Sequence, residues 1–238
     1  MERAHVLAWP AQDTAVIDGW LWRSSGGGSQ RANSVSTIDF TATDTAAAID
    51  SVEARYHAAA MPARFQTFDQ TAPAGLAAHL CDRGYTEGEA TLTMFKQLEP
   101  TTAPPSVECR DHAWDEWCDV YLGAITESRR LVNREILRAV PRPRGFFAHR
   151  QNGRIISTAL CVIGFNCAVA ECVATITEGR QTGGARTVMT GLLSWAADQQ
   201  ADIAGLQVTQ ANAPAIGLYH SLGFTAGTTN RFWLKHLS

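Results

Sequence analysis

The chain has 238 residues, of which 45% are hydrophobic and 18% are charged, and its formal net charge is −3. These values are typical of a globular protein with one large domain or two small ones. The slightly acidic balance provides no basic surface for nucleic acid or anionic membranes, and no apolar run approaches the roughly 18 residues that span a bilayer. Neither nucleic acid nor a membrane is therefore expected as a partner.

The six cysteines form no CxxC pair and have no histidine spacing suited to zinc. No metal is therefore expected. The N-terminus lacks the pattern of a secretory signal, so reduced thiols and a cytoplasmic location are expected.

The first 40 residues predict a hairpin after an extended lead-in. Residues 1–18 are weakly patterned and predict an extended segment, whereas residues 19–23 and 32–38 predict two strands around a Ser/Gly turn. The three glycines at 26–28 could cradle a phosphate, but no helix follows them directly. A plain hairpin loop is the favoured interpretation.

The next segment alternates helices and strands. Asp44 predicts the N-cap of a helix over residues 45–60, which Pro62 ends. Residues 64–68 and 90–97 predict strands, and the segment 74–83 between them predicts a helix closed by glycine.

A proline-rich linker divides the chain. Residues 99–106 (EPTTAPPS) contain three prolines in eight residues, which continue neither a helix nor a strand. The sequence therefore predicts an N-terminal domain over residues 1–98 and a C-terminal domain over 107–238.

The C-terminal part predicts a longer series of elements. Asn152-Gly153 is a strong signal for a hairpin turn between two strands. The predicted elements are strand 107–110, helices 113–125 and 126–140, strands 146–150 and 154–163, a central strand ending at Thr177, strand 203–210, helix 213–222 and strand 229–237.

A glycine-bearing turn follows the central strand. Residues 180–185 (RQTGGA) lead into a helical pattern with apolar side chains at 185, 188, 189, 192, 193 and 196. The order strand, turn, helix aims unpaired backbone N–H groups and the positive end of a helix dipole at one place. The expected occupant is an anion, and a phosphate is the favoured candidate.

The two parts of the chain repeat one pattern. Residues 80–98 align without a gap with residues 219–237, and each segment reads as the end of a helix, a glycine and a strand. This repetition indicates duplication of one supersecondary unit. The first copy has Leu80 opposite Tyr219 and lacks the glycine-bearing turn.

The C-terminal part resembles the GNAT (GCN5-related N-acetyltransferase) superfamily. Residues 180–185 fit its acetyl-CoA signature Q/R-x-x-G-x-G/A, and residues 212–224 fit its second signature N-x-x-A-x-x-L-Y-x-x-L-G-F. The resemblance implies an α/β (α+β) fold with a mixed, mostly antiparallel central sheet flanked by helices. The N-terminal part looks like a degenerate, partial second copy, as in tandem-GNAT proteins.

The resemblance also implies how acetyl-CoA is held as a co-substrate. Its pyrophosphate would lie against the N–H groups of the turn, with arginines adding charge-assisted contacts, and its pantetheine arm would pair with the central strand. The cofactor-binding residues implied in this way are Val173, Ala174, Thr175, Arg180, Gln181, Thr182, Gly183, Gly184, Ala185, Arg186, Asn212 and Tyr219.

Tyr219 falls on the general-acid position of the family, since a phenol stays protonated at neutral pH and can donate to the departing thiolate. Glu171 is the candidate base, because it is the only carboxylate within the central strand. Its odd–even parity with Val173 and Thr175 predicts that all three face one way. A solvated role for Glu171 stays open, and Cys172 as a nucleophile is disfavoured because strand cysteines are usually buried hydrophobes.

The predicted activity is therefore acetyl transfer from acetyl-CoA to an amine by direct attack in a ternary complex. The alternative is a non-catalytic acyl-CoA-binding or regulatory module. The sequence identifies neither the amine, on a small molecule or a protein, nor the oligomeric state, and a homodimer is left open.

Overall fold

The computed structural model describes residues 1–237 and divides into two compact units. The first unit contains Met1–Pro10, Thr93–Val208 and Asn212–Gly227, and the second contains Ala11–Leu92, Thr209–Ala211 and the segment from Thr228 onward. Each unit thus contains segments from before and from after the proline-rich stretch at 99–106.

Seven helices and twelve strands form within residues 1–237. The helices are α1 (Glu2–Ala8), α2 (Thr45–Ala58), α3 (Leu76–Asp82), α4 (Asp115–Gly123), α5 (Glu127–Ala139), α6 (Gly184–Asp198) and α7 (Ala213–Ser221). The strands are β1 (Asp13–Ile17), β2 (Trp20–Ser24), β3 (Val35–Ser36), β4 (Ala63–Phe68), β5 (Thr86–Glu87), β6 (Thr91–Gln97), β7 (Val107–Arg110), β8 (Arg144–Gln151), β9 (Arg154–Gly164), β10 (Cys167–Thr175), β11 (Ile203–Thr209) and β12 (Thr225–Lys235).

The first unit is built on a mixed, mostly antiparallel sheet in which β6, β11, β10, β9, β8 and β7 are neighbours in that order. Trp117 of α4 packs edge-on against Phe146 of β8, and Trp195 of α6 packs against the next residue, Phe147. Because neighbouring residues of a strand point to opposite faces, α4 and α6 cover opposite sides of this sheet.

The start of the chain is helical, so the prediction of an extended segment over residues 1–18 is wrong. Helix α1 packs on β9 and β10 and buries Ala4, His5 and Ala8. Seven residues are too few for a helix to be stable alone, and packing on the sheet decides the conformation. Later in this segment Asp13–Ile17 form β1, which pairs with β2.

The second unit packs α2 and α3 on one face of the sheet made by β1, β2, β3, β4 and β12. Its buried core contains Trp20, Trp22, Ile49, Val52, Tyr56, Phe65, Leu80 and Trp233. The main hairpin joins β1 to β2 through Asp18-Gly19, both at positive φ. The predicted strand over 32–38 is reduced to β3, which pairs with β2 through Leu21 and Ser36.

Several local predictions are confirmed. The Asp44 side chain accepts a hydrogen bond from the N–H of Ala47 at the start of α2. Asn152 and Gly153 both have positive φ, as the tight hairpin turn requires. Gly84 and Gly223 have φ of +79° and +89° at matching positions after α3 and α7. These left-handed glycines end the helix in each copy of the repeated helix–glycine–strand unit.

The last strands of the two repeats change places. In the order of strands, β6 of the first repeat lies beside β11, which precedes the second repeat in the chain. Strand β12 of the second repeat pairs with β4, which precedes the first repeat. The same exchange carries the residues from Thr228 onward into the second unit.

Candidate active site

The central strand β10 contains a β-bulge just after Glu171. Glu171 is opposite Leu160 of β9, and the next paired residues are Ala174 and Thr158. Between these two pairs β10 advances by three residues and β9 by two, so β10 contains one extra residue. Cys172 absorbs the bulge with φ of +54°. Such a φ is costly for a residue other than glycine and is concentrated at functional sites.

The bulge reverses the side-chain alternation, so the predicted common face of Glu171 and Thr175 is wrong. Ala174 shares the face of Glu171, since their partners Thr158 and Leu160 are two residues apart. Thr175 lies on the opposite face, where its hydroxyl is 2.9 Å from that of Ser157. The period of two fails here because the bulge inserts one residue.

Strands β10 and β11 part at the same place. Their parallel register runs from Cys167–Ile203 to Ala170–Leu206, and within the described residues it stops there although both strands continue. Beyond this point, residues 173–175 of β10 present a backbone edge for which no pairing with β11 is seen within residues 1–237.

The predicted turn leads into α6 as expected. A single 3-10 turn over Thr177–Gly179 is followed by Gln181 at φ of +62° and Gly183 at +87°, and α6 begins at Gly184. The Thr182 hydroxyl donates to the carbonyl of Gly179 at 2.8 Å. The first N–H groups of α6 have no partner within the helix, so they are available to an anion.

The two glycines of the turn serve different purposes. Gly183 needs its left-handed backbone, and a Cβ there would meet no atom within 4 Å. A Cβ on Gly184 would lie 2.5 Å from Ser157 Oγ and 3.0 Å from Ile156 Cδ1. Gly184 is therefore required for α6 to pack closely on β9.

The two arginines of the turn differ in what they contact. The guanidinium of Arg186 donates to Ser221, at 2.6 Å to Oγ and 3.3 Å to the carbonyl, and so ties α6 to the end of α7. Arg180 is exposed on the turn. Arg180 is the more available of the two for contact with a phosphate.

Asn212 begins α7 as its N-cap. Its Oδ1 accepts from the N–H of Ala215 at 3.3 Å, and Pro214 occupies the first turn of the helix. Since only Oδ1 is used in the cap, the amide N–H groups of Asn212 remain donors for a ligand.

Tyr219 and Glu171 come together in the interior, each only 7% exposed. Tyr219 packs edge-on against Phe224 with ring centroids 6.0 Å apart. Burial, and secondarily the negative charge of Glu171, raise the pKa of Tyr219 to about 12. Because this pKa is far above 7, the Tyr219 hydroxyl is a protonated donor at neutral pH.

The structure adds one residue that the sequence did not indicate. His5 of α1 is 3% exposed, and its Nδ1 lies 3.9 Å from Oε1 of Glu171. Both ring nitrogens are buried without a hydrogen-bond partner in the described chain. The spacing of Ala4, His5 and Ala8 was the available signal for a buried helix face, but it is too short to identify one.

Within residues 1–237 no group of three or more His, Cys, Asp and Glu side chains is arranged to hold a metal ion. In the same residues, no helix combines the length and the apolar character needed to cross a bilayer.

A bulged central strand that parts from its parallel neighbour, a glycine turn opening α6 and a buried tyrosine on α7 define an N-acetyltransferase of the GNAT class. The family model described as "Probable histone acetyltransferase Rv0428c C-terminal" matches residues 1–233. The chain belongs to this family. The chain is 25% identical over 251 residues to "Uncharacterized N-acetyltransferase YobR" of Bacillus subtilis (strain 168). This alignment covers 99% of the chain and 97% of the Bacillus protein.

Solved structures share the fold. A GCN5-related N-acetyltransferase from Kribbella flavida superposes with a TM-score of 0.71 at 16% identity, over 96% of this chain and 91% of that one. A tandem GNAT protein from the clavulanic acid biosynthesis pathway gives a TM-score of 0.64 at 13% identity, over 86% of this chain and 76% of that one. The predicted tandem-GNAT fold is thus confirmed.

Proposed function

We propose that the protein transfers an acetyl group from acetyl-CoA to a primary amine in a ternary complex, with Tyr219 as general acid and Glu171 as general base. The observation that carries the proposal is the burial of these two side chains close together, beside the bulge of β10. Aminolysis of a thioester needs a general acid and a general base, and here both are held in one site that is shielded from solvent.

The residues present fit acetyl-CoA. The pyrophosphate would accept hydrogen bonds from the N–H groups of residues 182–185 at the start of α6, with Arg180 adding charge. Arg186 keeps its contacts with Ser221 and would act mainly by holding α6 against α7. Gln181 supplies the left-handed residue that shapes the turn.

The pantetheine arm fits the edge of β10 that β11 leaves unpaired. There the backbone of Val173, Ala174 and Thr175 can pair with the amides of the arm as an added strand would. Asn212 would donate its free amide N–H to the same arm. In this arrangement the thioester would lie near Tyr219.

The chemistry follows from the protonation states. Glu171 takes a proton from the bound ammonium, and the freed amine attacks the thioester carbonyl. The C–N bond forms as the C–S bond breaks, and the electron pair leaves on sulfur. The nitrogen then loses its second proton, which restores the tyrosine after Tyr219 has protonated the thiolate, and the product is a neutral amide. The raised pKa keeps the Tyr219 hydroxyl protonated, so it can donate to the thiolate.

The acceptor amine belongs to one of several chemical classes. The description of the family model concerns a histone acetyltransferase, which makes a lysine side chain of a protein one candidate. Amino acids, polyamines and other small amines are the alternatives, and the experiment is designed to separate these classes.

The test is thiol release from acetyl-CoA over a panel of amines, namely lysine-containing peptides, free amino acids and polyamines. We expect one class to be acetylated, and Tyr219→Phe to lower kcat by about 100-fold or more with little change in acetyl-CoA affinity. Tyr121→Phe, which removes a buried hydroxyl bonded to Asn133, is the matched control. Equal turnover by Tyr219→Phe would refute the acid assignment.

The same screen tests the alternative. If acetyl-CoA binds to the protein but no amine is acetylated, the non-catalytic acyl-CoA-binding module is the better description. If acetyl-CoA at concentrations far above typical dissociation constants does not raise the melting temperature, both functions fail.

A further inference from the structure

The N-terminal helix carries a buried imidazole to the candidate base. His5 lies on α1, on the face that packs on β9 and β10, and its Nδ1 is 3.9 Å from Oε1 of Glu171. Each of the two side chains is more than nine-tenths buried. A buried polar ring without hydrogen bonds is costly, so a native structure retains one where it serves a purpose.

The position of α1 is fixed by contacts at both of its ends. The carboxylate of Glu2 accepts from Thr93 Oγ1 at 2.8 Å and from Gln207 Nε2 at 3.2 Å. At the other end, Leu7 occupies the space beside Gly164 of β9 where a Cβ would otherwise lie. These contacts join the helix to three different strands and hold His5 against Glu171.

We propose that His5 is the second proton acceptor of the acetyltransferase, taking from Glu171 the proton that Glu171 removes from the acceptor ammonium. This inference rests on the proposed function of Glu171. The atoms involved are Oε1 of Glu171 and Nδ1 of His5. Their separation has to close by about 1 Å for a hydrogen bond, and catalytic hydrogen bonds are often long in unliganded proteins.

The step balances without a further reactant. One ammonium proton passes to the carboxylate of Glu171 and then to the neutral imidazole of His5, and it leaves to solvent after product release. The thiolate receives its proton from Tyr219, which regains one from the second N–H of the attacking nitrogen. Passing the proton on to His5 is thermodynamically favourable, because in model peptides the pKa of an imidazole is about 2 higher than that of a carboxyl group.

The surroundings of the pair contain few other charges. Tyr219 of α7 is near enough to Glu171 for this carboxylate to raise its pKa, and Glu2 and Arg3 are on the same helix as His5. Residues 155–164 of β9 and residues 203–209 of β11 contain no charged side chain or histidine. Lys96 of β6 donates to the carbonyl of Leu222.

The first test is the pH profile of kcat/KM for His5→Gln, with His57→Gln as the matched control, because His57 is exposed on α2. We expect His5→Gln to lower kcat/KM at pH 8 by about 10- to 100-fold and to change the shape of the pH profile, whereas His57→Gln should change neither. A His5→Gln variant that loses rate but keeps the wild-type profile has lost only packing, and the proposal is then wrong.

The second test does not depend on turnover or on a His5 variant. The side-chain 15N shifts of His5 are compared at one pH in the wild type and in Glu171→Gln. Because Nδ1 of His5 faces Oε1 of Glu171, its shift should change in Glu171→Gln, whereas the shifts of the exposed His57 should not. An unchanged Nδ1 shift overturns the pairing.

The two tests separate the inference from the proposed function. If Glu171→Gln changes the Nδ1 shift of His5 but leaves turnover intact, the pair exists and the base assignment of Glu171 fails. If Glu171→Gln abolishes turnover without affecting His5, the base assignment stands and the inference fails.

Discussion

Replacing Gly184 with alanine tests how α6 is seated on the sheet. The added Cβ would lie 2.5 Å from Ser157 Oγ, far inside the 3.5–4.0 Å of an ordinary contact. Ser157 is not free to move away, because its hydroxyl is 2.9 Å from that of Thr175. Either this buried hydrogen bond breaks or α6 shifts outward.

Both routes have a similar cost. Losing the hydrogen bond costs about 1 kcal/mol, and overpacking costs about 1–3 kcal/mol. Alanine recovers up to about 1 kcal/mol through its helix propensity. We therefore expect Gly184→Ala to lower the free energy of unfolding by about 1–2 kcal/mol, and to weaken acetyl-CoA binding because the first N–H groups of α6 move.

The assay is urea denaturation of the single and double variants with Ser157→Ala. Removing Ser157 Oγ should lower the cost of Gly184→Ala by more than 0.5 kcal/mol, a coupling expected of residues in contact. Gly183→Ala is the control, because its cost of about 1 kcal/mol comes from the backbone and should not depend on Ser157. A Gly184→Ala protein as stable as the wild type would refute this account of the turn.

Three further outcomes are expected. Asn212→Ala should lower stability by about 1 kcal/mol, whereas Asn212→Asp should keep the helix cap but raise KM for acetyl-CoA, as compared by thermal melts and initial rates. Because the pKa of Tyr219 is raised to about 12 from an unfolded value near 10, its contribution to stability is complete below pH 10 and is lost as pH rises through 12. Absorbance titration at 295 nm should show this ionisation moving to lower pH in Glu171→Gln. Arg186→Gln should lower the melting temperature more than acetyl-CoA affinity, since Arg186 contacts Ser221, and calorimetric titration that found the reverse would assign Arg186 to the phosphates.

Local chemistry made a large part of the fold predictable. Asp44, Asn152-Gly153 and the paired glycines at 84 and 223 each require a cap or a left-handed backbone that few residues supply. The turn before α6 belongs to the same group. These features were therefore readable without knowledge of distant contacts.

Features that depend on distant contacts were not predicted. The bulge at Cys172 inserts one residue without glycine, so the period of two misplaced Thr175. Helix α1 is stabilised by its packing on β9 and β10, which no local pattern indicates. The proximity of His5 to Glu171 could therefore not be predicted from the position of His5 in the chain. The exchange of β6 and β12 is set by pairing across more than 100 residues, which no local pattern encodes. The hairpin turn at Asp18-Gly19, by contrast, was a readable signal that the weak pattern around it concealed.

The most direct test of the acetyl-CoA site is a titration of 15N-labelled protein with acetyl-CoA, followed by the backbone amide shifts. The chain contains two glycine-rich turns, one at the start of α6 and one at residues 26–28 in the second unit. We predict that the largest and saturable shifts occur at the amides of residues 182–185, with smaller shifts at Val173 and Asn212. Shifts concentrated at Gly26, Gly27 and Gly28, or none at residues 182–185, would contradict the account.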